Sequence, residues 1–349
     1  MAWLFILLGP IIGDFGESPK QERYDVRAAL CKEYGTPPKL TVDDLQAPVL
    51  GNGEVRIEVH ACGINFADVL IVQGKYQAKP PLPFVPGGEV AGVVLEVGSD
   101  VSNVEAGQRV LGMSSQGGFA EEVVIDCRRV LAIPASMDFK TGASFAVTYG
   151  TSHLALEHRA CLKSGETLLV LGASGGVGLT AVEIGKVMGA TVIGAASTDE
   201  KLEIVKSHGA DFLINYVKED LRDRVKEITG GVDVVYDPVG GEPFLQALRC
   251  MNWEGRIIVI GFAGGTIQKI PANYLLLKNC AAVGAYWGPY MEKNPDVLLC
   301  SLRTLMDWFE AGRLVPHISA TYPLEDAGKA LATLYERRAT GKVVLTTRD

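Results

Sequence analysis

The chain has 349 residues, 48% hydrophobic and 21% charged, ordinary values for a globular protein of about two domains. Its 33 Lys and Arg against 41 Asp and Glu give a net charge of −8, which speaks against a nucleic-acid-binding face, since such faces are normally basic. A chain this long buries enough core to fold without disulfides or a structural metal. Its 40 glycines follow no G-X-Y period, so they exclude collagen and point to turns and close backbone approaches.

Residues 1–23 open with the apolar run Trp3–Ile12, interrupted by Gly9 and Pro10. Ten residues are too few to cross a bilayer, and no Lys or Arg precedes the run as in a secretory signal. Gly13–Lys20 is polar and lacks the Arg-rich character of a mitochondrial transit peptide. The segment reads as an appendage. From Tyr24 to about Leu131 the pattern is β-like. Val55–Ala61 alternates apolar and polar residues, as a half-buried strand does. Val90–Val97, Gln108–Leu111 and Phe119–Ile125 are further short runs. Gly51-Asn52-Gly53, Pro80–Pro83, Pro86-Gly87-Gly88 and Gly117-Gly118 punctuate them, which predicts a barrel or sandwich.

The character changes near Ala143. Val147–Leu162 reads as a helix and Thr167–Leu171 as a buried strand. A glycine-rich turn over Gly172–Gly178 opens a helix that runs to about Met188. Strands then follow at Thr191–Ala195, Phe212–Ile214, Val232–Tyr236, Arg256–Ile260 and Ala281–Ala285. Helices at Glu200–Ser207, Lys218–Ile228 and Phe244–Met251 separate them. Such alternation predicts an α/β, doubly wound parallel sheet with right-handed crossovers. Pro295–Ala311 and Leu324–Arg337 read as amphipathic helices, and Gly341–Leu345 as a closing strand. The helix after Pro295 reads as the return into the first domain. That domain is then discontinuous, 24–146 with 290–349, around a second at 147–289.

The seven cysteines are odd in number, scattered and without a CxxC, and the five histidines are scattered too. A disulfide framework is not expected, and a reducing compartment fits, the cytoplasm first and the mitochondrion as the alternative. No metal site is expected from this spacing.

The turn carries the first chemistry. Ala173, Gly175 and Gly178 occupy the three small positions of a G-x-G-x-x-G fingerprint, between a strand and a helix as a dinucleotide site requires. Ser174, Gly176 and Val177 complete it. Small residues permit the tight turn, and a pyrophosphate would lie on backbone N–H groups at the helix start. The second strand ends in Ala196-Ser197-Thr198 with no acid at its tip, where an NAD site usually places one. Ser197 and Lys201 supply the hydroxyl and cation that a 2′-phosphate needs, so NADPH is expected over NADH. Asp199 is an acidic complication, Ser197–Asp199 also reads as a helix N-cap, and Lys201 also reads as a solvated charge.

Gly63–Asp68 with Gly74-Lys75-Tyr76, Leu82–Val94, Gly117–Glu121, Val147-Thr148-Tyr149, Ala173–Gly178, Asn215-Tyr216, Asp237–Gly241 and Gly341–Leu345 together resemble the quinone oxidoreductase (zeta-crystallin-like) family of the medium-chain dehydrogenase/reductase superfamily. The resemblance covers roughly residues 25–347. It implies a GroES-like β-barrel catalytic domain, a Rossmann domain, a cleft between them, NADPH, and a homodimer or homotetramer. Zinc dehydrogenases of the superfamily carry Cys at the place of Asn65 and His at the place of Gly88, and they carry a four-cysteine lobe that is missing here. Zinc-independent chemistry is therefore expected.

The resemblance also implies roles. Asn65 would donate its amide to the nicotinamide carboxamide, its ribose or the acceptor carbonyl; it also reads as a satisfied turn residue. Tyr76 would lend a phenolic donor to an oxygen developing negative charge, or form an aromatic lid. Asp68 would brace their loop. Thr148 would bond the nicotinamide amide, or back-bond within its helix. Tyr216 would stand beside the 2′-phosphate and Val239 beside the nicotinamide ribose. Gly261, Phe262 and Ala263 follow the fifth strand at the ligand-binding edge of the sheet, and Lys342 joins the cofactor set. The expected activity is NADPH-dependent reduction of quinones or α,β-unsaturated carbonyls. The alternatives are an enoyl-thioester reductase and an NADPH-binding protein with little turnover, structural or RNA-interacting. The acidic charge speaks against RNA, and no membrane partner is expected.

Overall fold

The computed structural model describes residues 24–36 and 38–348. The appendage read at 1–23 lies outside them. Strands β1 (Asp25–Leu30) and β2 (Thr41–Gln46) form an antiparallel pair. It docks on the following sheet through the bridges Ala28–Ala120 and Cys31–Phe84. Strand β3 (Glu54–Ile64) is the spine of that sheet, and helix α1 (Phe66–Val72) follows it. The alternating residues Val55, Ile57 and Val59 of β3 are all buried, as their period of two requires. Next come β4 (Glu89–Val97), β5 (Arg109–Met113), β6 (Glu122–Asp126) and β7 (Val130–Ala132). β3 pairs antiparallel with β4 and β6, β4 with β5, and β5 with β7. Their apolar faces close a core of Val55, Ile57, Ile64, Val90, Phe119 and Val123, among others.

Helix α2 (Phe139–Gly142) leads to α3 (Ala146–His153). The backbone then continues through a π-helical turn over Leu154–Arg159. Then strands and helices alternate: β8 (Thr167–Leu171), α4 (Gly176–Val187), β9 (Thr191–Ala196), α5 (Asp199–Ser207), β10 (Phe212–Asn215), α6 (Leu221–Thr229), β11 (Val232–Asp237), α7 (Gly241–Arg249), β12 (Met251–Val259), α8 (Ala272–Lys278) and β13 (Ala281–Gly284). The six strands are parallel, in the order β10-β9-β8-β11-β12-β13. In chain order that is 3-2-1-4-5-6, the doubly wound dinucleotide-binding topology.

Helix α9 (Tyr290–Lys293) and helix α10 (Pro295–Glu310) follow. Here the structure differs from the sequence reading. Leu298, Leu302 and Leu305 of α10 join the core that holds Tyr149 of α3 and Leu168 and Val170 of β8. Their spacing of four and three puts them on one face, and His153 Nδ1 meets Ser301 Oγ at 2.8 Å. The helix thus belongs with the parallel sheet, and the chain returns to the first sheet only at β14 (Ile318–Pro323), α11 (Ala327–Tyr335) and β15 (Lys342–Thr346). β15 pairs with both β14 and β3.

A backbone contact joins the two halves. Gly341 N donates to Ser174 O at 2.8 Å, at the glycine turn. Gly63, near the end of β3, lies so close to Ala143 that a Cβ there would fall 1.8 Å from the Ala143 carbonyl oxygen. Gly63→Ala must therefore push β3 away from the segment that follows α2, at a cost of about 3 kcal/mol. Gly53→Ala, with nothing within 4 Å of its Cβ, should stay within about 0.5 kcal/mol of the parent. Urea unfolding of the two variants checks the contrast, and equal midpoints would refute it.

Candidate functional site

The glycine turn begins where the buried apolar strand β8 ends at Leu171. Gly172 takes a left-handed φ of 57°, Gly175 N donates back to Gly172 O at 3.0 Å, and α4 starts one residue later. Ala173 is fully buried. A Cβ on Gly178 would lie 2.2 Å from Gly172 O, so the third small position of the fingerprint is a steric necessity. The first N–H groups of α4 have no partners within the helix, and the helix dipole adds positive potential there. Together they make an anion cradle.

The neighbouring strand ends complete an edge. Ser197 follows β9, and Thr198 caps α5 by accepting from Lys201 N at 3.3 Å. Asp199 is turned aside. Lys218 Nζ and Asn215 Nδ2 donate to it at 2.5 and 2.6 Å, and these bonds, Lys218 first, hold its carboxyl below the usual range. Tyr216 follows β10, half-buried, with its N–H on Ala196 O at 3.2 Å. Lys201 Nζ donates to Arg337 O at 3.0 Å, and Arg337 Nη2 donates to Ala263 O at 3.1 Å. Arg337 thus spans from the second strand's helix to the loop after the fifth strand. The sequence reading missed it; its only local signal is the Arg337-Arg338 pair just before the closing strand.

The fourth strand ends in Asp237, fully buried. Its Oδ1 accepts from Val239 N and Gly240 N, both at 2.9 Å, which sets the turn carrying Val239. Burial pushes its carboxyl up to about 6, and Oδ2 is a buried atom without a partner. Ala263 N donates to Pro238 O at 2.9 Å, so Gly261, Phe262 and Ala263 are folded back on this turn. The sequence reading took Val239 from Asp237–Gly241 and passed over the aspartate that holds it.

Across the cleft, Asn65 caps α1 without using its side chain on the helix end. Asp68 does that work, accepting from Asn65 N at 2.8 Å; burial pushes the Asp68 carboxyl up to about 6. The Asn65 amide instead faces Lys342, whose Nζ donates to Asn65 Oδ1 at 2.8 Å and to Glu89 Oε2 at 2.9 Å. An ammonium has no acceptor, so the amide oxygen must face it. Asn65 Nδ2 then donates to Glu89 Oε2 at 3.1 Å and towards Gly63 O at 3.4 Å. Asn65, expected to donate to a ligand, is here committed to orienting Lys342. Glu89 is fully buried, and its second oxygen accepts from Val147 N at 2.8 Å, at the start of α3. The sequence reading missed Glu89, although it stands within the quoted Leu82–Val94 segment.

Thr148 follows Val147. Its hydroxyl donates back to Ser144 O at 2.8 Å, leaving lone pairs but no hydrogen for a ligand. Thr180 Oγ1 of α4 donates to Thr148 O at 3.1 Å, which ties α3 to α4. Tyr76 is half-buried beyond α1. Burial and the nearby Tyr286 push its phenol up to about 12, so it stays a donor at neutral pH. Among the described residues, no group of three or more His, Cys, Asp or Glu is placed to hold a metal ion, and no helix is long and apolar enough to cross a membrane.

Comparison with known proteins agrees with this architecture. Residues 51–135 match the family model described as "Alcohol dehydrogenase GroES-like domain", and residues 176–300 match "Zinc-binding dehydrogenase". The chain is 46% identical over 333 residues to the quinone oxidoreductase-like protein 2 homolog of Nematostella vectensis, covering 94% of this chain and 90% of that protein. It is 45% identical to quinone oxidoreductase-like protein 2 of Mus musculus, covering 92% of each. Among solved structures, Escherichia coli quinone oxidoreductase complexed with NADPH superposes with a TM-score of 0.84 at 29% identity, covering 92% of this chain and 99% of that one.

The Glu89–Lys342 pair makes a sharp prediction. Lys342→Met strands a fully buried carboxylate, which costs about 3–5 kcal/mol. Adding Glu89→Gln removes the stranded charge and should recover most of that loss. Urea unfolding of both variants measures it; a double variant no more stable than the single one would refute the pairing.

Proposed function

Because the chain belongs to the quinone oxidoreductase family of the medium-chain dehydrogenase/reductase superfamily, we propose that it is a zinc-independent, NADPH-dependent oxidoreductase. Its acceptor class is quinones or α,β-unsaturated carbonyls. The observation that carries the cofactor reading is the turn before α4, where only a small residue fits at Gly178. With it, Ser197, Lys201 and Tyr216 lie at one sheet edge, where Asp199 is engaged by Lys218 and Asn215.

In this reading Ala173–Gly178 and the first turn of α4 hold the pyrophosphate. Ser197, Lys201 and Tyr216 take the 2′-phosphate. Val239, Gly261, Phe262 and Ala263 line the nicotinamide half. Two of the three Lys342 N–H donors are engaged by Asn65 and Glu89, so the third remains for an anionic ligand. Thr148, whose hydrogen is spent, accepts from a carboxamide N–H. The reduced nicotinamide supplies the hydride when bound. Tyr76 donates to the acceptor oxygen as it gains charge, and its raised pKa keeps it from ionising first. The GroES-like unit of this proposal is 24–146, completed by the chain from β14 onward.

The test is an oxidation screen of NADPH and NADH over ortho-quinones, alkenals and enoyl thioesters. NADPH consumption with quinones or alkenals is expected. Turnover confined to enoyl thioesters would move the enzyme to that class, and tight NADPH binding with no oxidation would overturn an enzymatic role. Lys201→Ala and Tyr216→Ala should each raise KM for NADPH about tenfold, the worth of one charge-assisted hydrogen bond, and leave KM for NADH unchanged. Equal effects on both cofactors would refute the 2′-phosphate assignment.

We propose also that the chain is a homodimer joined at β13. That strand is an open edge of the parallel sheet, and beside it Leu276 and Leu277 are 81% and 71% exposed and Trp253 70%. An open edge flanked by apolar side chains is a pairing surface. Light scattering should give twice the 37.3 kDa chain mass, and paired Leu276→Asp and Leu277→Asp should give the monomer. A wild-type chain at monomer mass would sink the idea.

A further inference from the structure

A second buried carboxylate, unused in the roles above, stands on α4. Glu183 lies about two turns along α4 and is almost fully buried. Its Oε2 accepts from Tyr149 Oη of α3 at 2.5 Å. Its Oε1 accepts from His208 Nδ1, at the end of α5, at 2.7 Å and from Val315 N at 3.3 Å. Facing a carboxylate, His208 must carry its hydrogen on Nδ1. One carboxylate therefore gathers α3, the end of α5 and the segment that leads back to β14.

That segment reaches the glycine turn within a few residues. Val315 is followed by His317, whose carbonyl accepts from Lys342 N at 2.9 Å. Next to Lys342, Gly341 N donates to Ser174 O inside the turn. The His317 ring packs edge-on to His208 at 5.5 Å, and its Nε2 meets Thr340 Oγ1 at 3.1 Å. A cavity of about 10 Å³, the size of one water, is walled by Glu183, His208 and His317 together with Thr148, Gly176 and Lys342. The carboxylate cluster and the expected cofactor contacts are thus two sides of one small space.

We propose that Glu183 is a positioning residue for the cofactor: by gathering Tyr149, His208 and Val315 it fixes the returning chain against α4, and so sets where Gly341 and Lys342 stand at the glycine turn. The inference rests on the dinucleotide reading of that turn. It also gives the site an acid-sensitive element in His317. The groups facing its ring are His208 from α5, Glu183 from α4, and Thr340 and Lys342 from the closing segment. Burial first, and His208 second, lower the His317 pKa, against an opposing pull from Glu183. The packed state therefore favours neutral His317. The grip is intact above the ordinary imidazole value of about 6.5, and it weakens as pH falls through that value because the loosened state binds the extra proton more readily.

The test measures NADPH binding to the full chain by fluorescence, without an acceptor, so it does not depend on which substrate is reduced. Glu183→Gln keeps the shape and removes the charge, and should raise Kd about tenfold. Tyr149→Phe, which removes one donor and is the milder change should Glu183→Gln fold poorly, should raise it about threefold. A purely structural role would leave the pH profile alone, so Kd is also read from pH 7.5 to pH 5.5. The wild type should lose about threefold more affinity over that range than His317→Gln, in which the cofactor's own phosphate and the carboxyls of Asp68 and Asp237 still titrate. Unchanged Kd in both Glu183→Gln and Tyr149→Phe, or identical pH profiles for wild type and His317→Gln, would overturn the positioning role and leave the cofactor reading standing. A wild type that does not bind NADPH would overturn both.

Discussion

The fully buried carboxylate of Glu89 is the interaction on which the cleft depends. It sits on β4 but binds groups from three other places: Lys342 at the start of β15, Asn65 before α1 and Val147 at the start of α3. Burying two charges is expensive, and a pair such as Glu89 with Lys342 returns that cost only when the remaining donors and acceptors are satisfied. Here they are. Three donors converge on Glu89, and Lys342 has a second acceptor in Asn65. The pair therefore adds little net stability compared with apolar residues of the same shape. What it specifies is arrangement: any shift of β15 against β4, or of α3 against either, leaves a buried charge unpaired.

This explains why the end of the chain and its first third meet at one point. β15 is the strand through which the returning chain joins β3, and Lys342 is its first residue. One residue earlier, Gly341 is bonded to the glycine turn. The step from Gly341 to Lys342 thus changes sides, from the parallel sheet to the antiparallel one. The cleft is shaped by this crossing rather than by a separate interface, which is why Lys342 and Gly176 can face the same small space.

What could be read in the sequence was local. The strand, glycine turn and helix over residues 167–187 follow one another in the chain, and a short continuous apolar run gives way to a longer helical pattern where the structure changes. The alternating strands and helices gave the sheet class for the same reason. Helix α10 was placed with the wrong half because an amphipathic stripe shows that a face is buried but not against what; Leu298, Leu302 and Leu305 carry no address. The Glu89 network was hidden for a stronger reason. Its members are separated by 24, 253 and 277 residues, and a glutamate beside Gly87-Gly88 looks like any polar residue at a strand start. Asn65 was singled out, yet its commitment to Lys342 could not be seen, since it depends on which atom faces the ammonium. Asp199 shows the converse. In sequence it contradicts a 2′-phosphate site, and only the contacts with Lys218 and Asn215 turn it away.

The two buried carboxylates bear on the same three residues from opposite sides. Glu89 holds the backbone N–H of Val147, and Glu183 holds the hydroxyl of Tyr149. Thr148 stands between them, with its hydroxyl bonded to Ser144 O and its carbonyl to Thr180 of α4. A residue held at its backbone, at its side chain and through both neighbours has little freedom left to lose, and so little entropy would oppose a contact with a ligand. Both carboxylates reach this stretch through helix α3, which belongs in packing to the parallel sheet but starts on a group supplied by the antiparallel one. The short segment from Val147 to Tyr149 is therefore where the two halves of the molecule are registered to each other, and Thr148 is the atom-level consequence of that registration.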